Sequence, residues 1–317
     1  MAWTQRLTDE QRHAIEGGAH RTKIVACAGS GKTEVLARRV VRLLREGADP
    51  AGIVAFTFTE KAAAELKQRI DERARELPAY ADLPPGSRGM FVGTIHGYAL
   101  ERLHDLGGRY ELVDALDERQ EWALVYRVAR RLGVVALYET VAPKVATAPA
   151  VSTFLRSAEV VRSERIDRDV LRMRASTFAE VLDRYEWLLG EMRLLPFRLM
   201  IARAVDELAG GGRLRERLAG RVRHVLVDEF QDLNHAQEAL VRGLVEAGAD
   251  LTLVGDDDQA IYQWRGGDVA LLASTRADHE VVLSANHRCR PEVVDLARTL
   301  AETLPDRAAK PLAAARA

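Results

Sequence analysis

The run Lys23-Ile-Val-Ala-Cys27 leads directly into Ala28-Gly-Ser-Gly-Lys-Thr33, and a helical pattern opens at Lys32. A β-branched apolar run that ends in a glycine-rich turn and restarts as a helix constrains the fold more than any other feature. It asks for a buried strand, a phosphate-sized loop and a helix start in immediate succession. The chemistry follows from the residue types. Gly29 and Gly31 let successive backbone N–H groups point inward at phosphate oxygens, and the helix start adds the positive end of its dipole. Lys32 reaches the terminal phosphates, and the Thr33 hydroxyl suits Mg²⁺. Ala26, Cys27, Ala28, Gly29, Ser30, Gly31, Lys32 and Thr33 therefore form the expected nucleotide cradle, with Ala26 where the general pattern has its first glycine.

Two further strand-like runs, Ile53 to Phe58 and Phe91 to Thr94, are also followed by helix candidates. With Lys32 to Arg45 and Glu60 to Arg75 as helices, the opening reads βαβαβα, the order of an open α/β sheet. From about Asp117 to Met192 the spacing turns helical, as in Trp122, Val125, Tyr126, Ala129 and Leu132, and later Phe178, Leu182, Tyr185, Leu189 and Met192. That stretch reads as an all-helical insertion. The triplet from Gly210 to Gly212 breaks the pattern, after which Val222 to Val227, Leu251 to Val254 and Val281 to Leu283 resume the sheet. A last helix candidate runs from Pro291 to about Leu304, and Ala308 to Ala317 is too rich in alanine and charge to pack much. The expected organisation is a discontinuous α/β domain over 1–108 and 193–290, a helical subdomain over 109–192, and the start of a further domain over 291–317.

The second half of a phosphate site is an acidic pair at the end of another buried strand, and Val225-Leu-Val-Asp-Glu-Phe-Gln-Asp232 supplies it. Asp228 fits a Mg²⁺ ligand and Glu229 a base that orients and deprotonates the attacking water. Adjacent carboxylates repel one another, so a bound cation makes sense of them. Bulk charge does not decide the partner, since 46 basic against 47 acidic residues leave a formal charge of -1. Two cysteines, Cys27 and Cys289, provide neither a structural zinc set nor a disulfide framework. No apolar stretch suits a signal peptide or the ~18-residue span of a membrane helix, so the expectation is a soluble, cytoplasmic protein without a membrane partner.

Taken together, Leu7-Thr-Asp-Glu-Gln11, Phe56-Thr-Phe-Thr-Glu-Lys-Ala-Ala-Ala-Glu65, Gly93-Thr-Ile-His96, Val227-Asp-Glu-Phe-Gln-Asp232, Val254-Gly-Asp-Asp-Asp-Gln-Ala-Ile-Tyr-Gln-Trp-Arg-Gly266 and Asn286-His-Arg288 recur in a familiar order. The chain resembles the UvrD/Rep/PcrA group of superfamily I DNA helicases from about Leu7 to Leu304. The resemblance implies a P-loop NTPase of RecA-like fold, a parallel sheet flanked by helices, with a helical inserted subdomain. It implies ATP with Mg²⁺, read through adenine by Gln11. It also implies a γ-phosphate sensor at Gln259 and a phosphate contact from Arg288, so that Lys32, Asp228, Glu229, Gln259 and Arg288 form the catalytic set. His287 stands where the family has a tyrosine stacked on adenine, and its smaller ring stacks less extensively.

For DNA the resemblance implies single strands, or a duplex with a 3′ single-stranded tail. Phe58, Tyr262 and Trp264 would serve as stacking platforms, and Thr59, Thr94, His96 and Arg265 would lie against the backbone. The arginines from Arg156 to Arg174 and from Arg213 to Arg223 could add phosphate contacts or form a solvated face. Family members continue into a second motor domain whose arginine completes the ATP site, and its motifs are not found in this chain. The expectation is thus a 3′-to-5′ helicase motor domain that steps little alone, with a separate chain a possible source of the second motor domain. The alternatives are a non-catalytic ATP- or DNA-binding paralogue, or one part of a split helicase or helicase-nuclease. A small-molecule kinase is a poorer match, since it leaves Gln259 to Gly266 unexplained.

Overall fold

The computed structural model describes residues 7–81, 89–139, 142, 144–209, 211–263, 266–304, 307 and 310–315. In chain order the elements are α1 (Asp9–Glu16), β1 (Arg21–Ala26), α2 (Lys32–Arg45), β2 (Ile53–Thr57), α3 (Glu60–Ala74), β3 (Phe91–Thr94) and α4 (Ile95–Leu106). They continue with β4 (Asp114–Leu116), α5 (Glu118–Leu132), α6 (Val134–Glu139), α7 (Thr147–Ser163), α8 (Arg168–Arg174), α9 (Ser176–Glu191), β5 (Leu194–Pro196), α10 (Phe197–Leu208) and α11 (Arg213–Leu218). The last are β6 (His224–Val227), α12 (His235–Glu246), β7 (Asp250–Gly255), α13 (Val269–Ser274), β8 (His279–Leu283), β9 (Ala285–Asn286), α14 (Pro291–Ala301) and β10 (Ala313–Ala314).

Six strands pair in the order β3-β2-β6-β7-β1-β8, every pair parallel. Parallel strands covered by helices are apolar on both faces, which is why β2 is buried at every position and β1 at all but its first. Ala14 and Ile15 of α1, Val35, Leu36 and Val40 of α2, and Leu66 and Ile70 of α3 pack in one core with Ile24, Ile53, Leu226, Val254 and Val281 from the sheet. Arg39 of α2 is buried in the same region, where it donates to the Thr252 and Thr22 hydroxyls at 2.8 and 2.9 Å and to the Ala14 carbonyl at 2.7 Å. Its guanidinium thus fastens the end of α1 to the sheet.

The chain divides into two compact units, one of Met1–Tyr98, Arg215–Asn234 and Val241–Ala317, the other of Ala99–Leu214 and His235–Leu240. The second unit contains the stretch 109–192. It is not wholly helical, because β4 and β5 form a parallel pair; three residues each are too few to show a period-2 signal. Its core holds Phe154, Leu182 and Tyr185, and the Tyr185 hydroxyl donates to the buried Glu121 carboxylate at 2.5 Å. Among the described residues no helix is long and apolar enough to cross a membrane.

The tail departs from expectation. Lys310 and Leu312 are buried and β10 pairs with β9. Composition misled because the lysine finds three carboxylates far upstream in sequence. Ala308, Ala309, Arg316 and Ala317 lie outside the described residues, as does Gly210.

Candidate functional site

Apart from Leu7–Gln11, which opens α1, the motifs of the first unit fall at the carboxyl ends of sheet strands. The loop after β1 carries residues 26–33, β2 ends at Thr57 before Phe58 and Thr59, and β3 ends at Thr94. Asp228 follows β6, Asp256 follows β7, and Asn286 lies just beyond β8. This is the edge at which open α/β sheets bind ligands.

Gly29 and Gly31 both adopt left-handed backbone, with φ of 70° and 88°. At Gly29 an added Cβ would lie 2.8 Å from the Arg288 Cβ and 2.9 Å from the Asn286 Nδ2, so glycine is required for close approach. The surrounding chain holds the loop open from outside. The Asn286 amide donates to the Ala28 carbonyl at 2.7 Å, the His287 N–H to the Gly29 carbonyl at 2.9 Å, and the Gln11 amide to the Ser30 carbonyl at 2.9 Å. Gln11 is buried, and its Oε1 accepts from the Thr8 N–H at 3.1 Å, completing a capping box at the start of α1. Its amide is thus committed to the loop and its own helix. The Ser30 Oγ and His287 Nε2 are buried without a protein hydrogen-bond partner.

Lys32 donates to Glu229 Oε2 at 2.7 Å across the loop, and its side chain is only 10% exposed. Asp228 is buried beside it, next to the Thr33 side chain. Burial first, and then the neighbouring Glu229 charge, push the Asp228 carboxyl up to about 7 against the pull of Lys32. Burial and the same Glu229 charge bring Asp232 to about 6. The pocket is therefore short of positive charge, and a cation between Thr33 and Asp228 would relieve it. Among the described residues no group of three or more His, Cys, Asp or Glu side chains could hold a metal ion alone. That donor set fits Mg²⁺, which dehydrates reluctantly and takes one or two protein oxygens beside substrate phosphates.

Glu229 itself has left-handed backbone, φ 51° and ψ 48°, uncommon for a residue with a Cβ. Gln231, to which sequence reasoning gave no role, bridges two segments. Its Nε2 donates to Glu229 Oε2 at 2.9 Å and its Oε1 accepts from the Asp256 N–H at 2.9 Å. Asp256 is fully buried and accepts from the Gln259 amide, which places Gln259 on the same network. Arg288 is exposed, with its backbone N–H held by Asn286 Oδ1 at 2.9 Å. Asn286 was visible only as part of a motif; its three hydrogen bonds make it the brace between loop and strand end.

Of the residues expected at DNA, Phe58 and Tyr262 stack on each other, with ring centroids 4.8 Å apart at 28°. Thr59 caps α3 through the Ala62 N–H at 3.1 Å. The Thr94 hydroxyl donates to Glu60 at 2.8 Å and accepts from the Gly97 N–H at 3.1 Å. His96 is half-buried, and burial pushes its imidazole down to about 4, so it is neutral at neutral pH. Trp264 and Arg265 lie outside the described residues. In the second unit Arg162, Arg168 and Arg203 converge on Glu186, and Arg172 pairs with Asp183. Those arginines are matched to acids of their own unit rather than forming an unpaired basic track.

Known proteins resemble this chain over most of its length. The model of the UvrD/REP helicase N-terminal domain matches residues 7–280. The ATP-dependent DNA helicase UvrD1 of Mycobacterium tuberculosis is 31% identical over 314 residues, covering 93% of this chain and 39% of its own length. DNA helicase II of Escherichia coli is 30% identical over 314 residues, covering 96% and 42%, and the ATP-dependent DNA helicase Rep of Escherichia coli is 29% identical over 304 residues, covering 93% and 43%. The chain thus spans about two fifths of the length of these relatives.

Proposed function

From the premise that the chain belongs to the UvrD/REP helicase N-terminal domain family, we propose that it binds ATP with Mg²⁺ in the loop Ala26–Thr33 and hydrolyses it in a cycle coupled to single-stranded DNA. The relatives named as ATP-dependent DNA helicases point the same way. The observation that carries the reading is the meeting of Lys32 with Glu229 at 2.7 Å, beside the buried Asp228 and Thr33. Residues 1–108 and 193–290 would form the motor domain and 109–192 its insertion. Movement would run 3′ to 5′, as the family resemblance implies, and a separate chain could supply the second motor domain.

Each residue then has a physical task. Backbone N–H groups of the loop and the start of α2 bind phosphate oxygens. Lys32 exchanges Glu229 for the terminal phosphates, leaving that carboxylate free to orient a water and accept its proton. Thr33 and Asp228 would hold Mg²⁺, which supplies charge neutralisation at the phosphates. Gln259, tied to Asp256, stands three residues before Tyr262 and would couple the nucleotide to the segment that carries it. Phe58 and Tyr262 offer ring faces to bases, while Thr59, Thr94, His96, Trp264 and Arg265 would contact the strand.

The test is the ATPase rate of the purified chain with and without single-stranded DNA, beside Lys32→Ala. DNA should raise the rate, and the substitution should lower it by about 10² or more, the scale for losing one charge-stabilising group. A wild-type chain with no turnover under either condition defeats the proposal.

A further inference from the structure

The side chain of Lys310 is 0% exposed, a placement that lysine takes only when its charge is matched. An ammonium carries three N–H donors, and here it meets three different carboxylates: Asp256, Asp257 and, at 3.3 Å, Asp258. Arg307 adds a fork onto Asp258, at 2.7 and 3.0 Å, and donates to the Lys310 carbonyl at 3.3 Å. The segment is fixed on its other side by the pairing of Ala313–Ala314 with Ala285–Asn286 and by Leu312, which packs with Cys27 and Val294.

Three consecutive acids on one short turn repel one another, and Asp256 has no water to screen it. The two cations are what allow that turn to stay folded against the sheet. The turn carries Gln259, whose amide donates to Asp256. The Asp256 N–H in turn donates to Gln231, and Gln231 to Glu229 at 2.9 Å. A continuous set of hydrogen bonds thus runs from the Lys310 ammonium to the carboxylate opposite Lys32.

We propose that Lys310, assisted by Arg307, is a positioning residue for ATP turnover: its ammonium holds Asp256, Asp257 and Asp258 together and so fixes Gln259 and Gln231 at the nucleotide site. The consequence for turnover rests on the function proposed above, whereas the effect on the turn does not. Lys310 touches neither nucleotide nor DNA in this scheme, so its removal changes the chemical step and leaves phosphate binding in place.

Two readouts on the full chain test this. By hydrogen exchange, Lys310→Met should speed amide exchange across residues 256–260 by about tenfold while leaving residues 29–33 unchanged, as local opening of one turn requires. In DNA-stimulated ATPase assays it should lower kcat by about tenfold with KM within about threefold. Arg307→Gln, which loses only the Asp258 fork, should shift both readouts in the same direction by about threefold and guards against a Lys310 variant that fails to fold. Unchanged exchange across 256–260 overturns the inference whether or not the chain hydrolyses ATP. Faster exchange with unaltered kcat, or a rise in KM alone, overturns it as well. A wild-type chain without turnover refutes the function proposed above, and the exchange measurement then decides the positioning role by itself.

Discussion

Replacing Gly29 by alanine tests the nucleotide cradle at its tightest point. The left-handed φ of 70° costs a residue with a Cβ about 1–2 kcal/mol. The new methyl would sit 2.8 Å from the Arg288 Cβ and 2.9 Å from the Asn286 amide, so the segment behind the loop must retreat. Two hydrogen bonds fasten that segment, His287 N–H to Gly29 and Asn286 to Ala28, and each contributes about 1 kcal/mol net. The total is about 3–4 kcal/mol, concentrated on the loop that would hold the phosphates. At about 1.4 kcal/mol per tenfold, affinity for a fluorescent ATP analogue should fall by about 10² or more. Gly47→Ala separates backbone strain from the clash, because Gly47 has φ of 88° but nothing within 4 Å of its would-be Cβ. That control should lower the melting temperature and leave nucleotide affinity unchanged. If Gly29→Ala binds the analogue within about threefold of wild type, the cradle has been misassigned.

Two further outcomes follow from the electrostatics. Burial depresses His96 from 6.5 to about 4, so between those values the unfolded chain binds more protons than the folded one. Stability contributed by the neutral ring is therefore present above pH 6.5 and lost as pH falls toward 4. Urea midpoints of His96→Gln should fall less steeply across that window than wild type, and parallel slopes would contradict the burial argument. In the second unit, Tyr185→Phe removes the donor that meets the buried Glu121 at 2.5 Å and should destabilise the fold by about 1–3 kcal/mol in urea unfolding. A loss below about 0.5 kcal/mol would mean that Arg198, whose guanidinium approaches Glu121 at 3.4 Å, satisfies the carboxylate without the tyrosine.

The sheet was legible because buried parallel strands leave near-continuous apolar runs. Ile53 to Phe58 and Phe91 to Thr94 stand out as such, and the structure moves their ends by a residue at most. At β6 the expected start, Val222, instead donates its N–H to the Leu218 carbonyl at 3.2 Å in a turn, so the strand opens at His224. The β4–β5 pair was not legible, since three-residue strands have no detectable period. Within the candidate site, the meeting of Lys32, Asp228 and Glu229 was legible from residue types, because the expected phosphate chemistry asks for them side by side. Gln231 and Lys310 were not. Their importance comes from partners that only folding supplies, such as the Asp256 N–H for Gln231 and the acidic turn for Lys310. For Arg162 and Arg168 the sequence left phosphate contacts and a solvated face both open, and their pairing with Glu186 becomes visible only in the fold.

The backbone at Glu229 sets a limit on how this protein can be improved. Its φ of 51° is one that glycine adopts without a steric penalty. Judged on backbone strain alone, glycine would therefore be the preferred residue at 229. Yet the side chain discarded is the carboxylate that faces Lys32. Relief of the backbone and retention of the carboxylate that accepts from Lys32 and Gln231 pull in opposite directions at this residue, so any campaign to stabilise the chain should hold position 229 fixed.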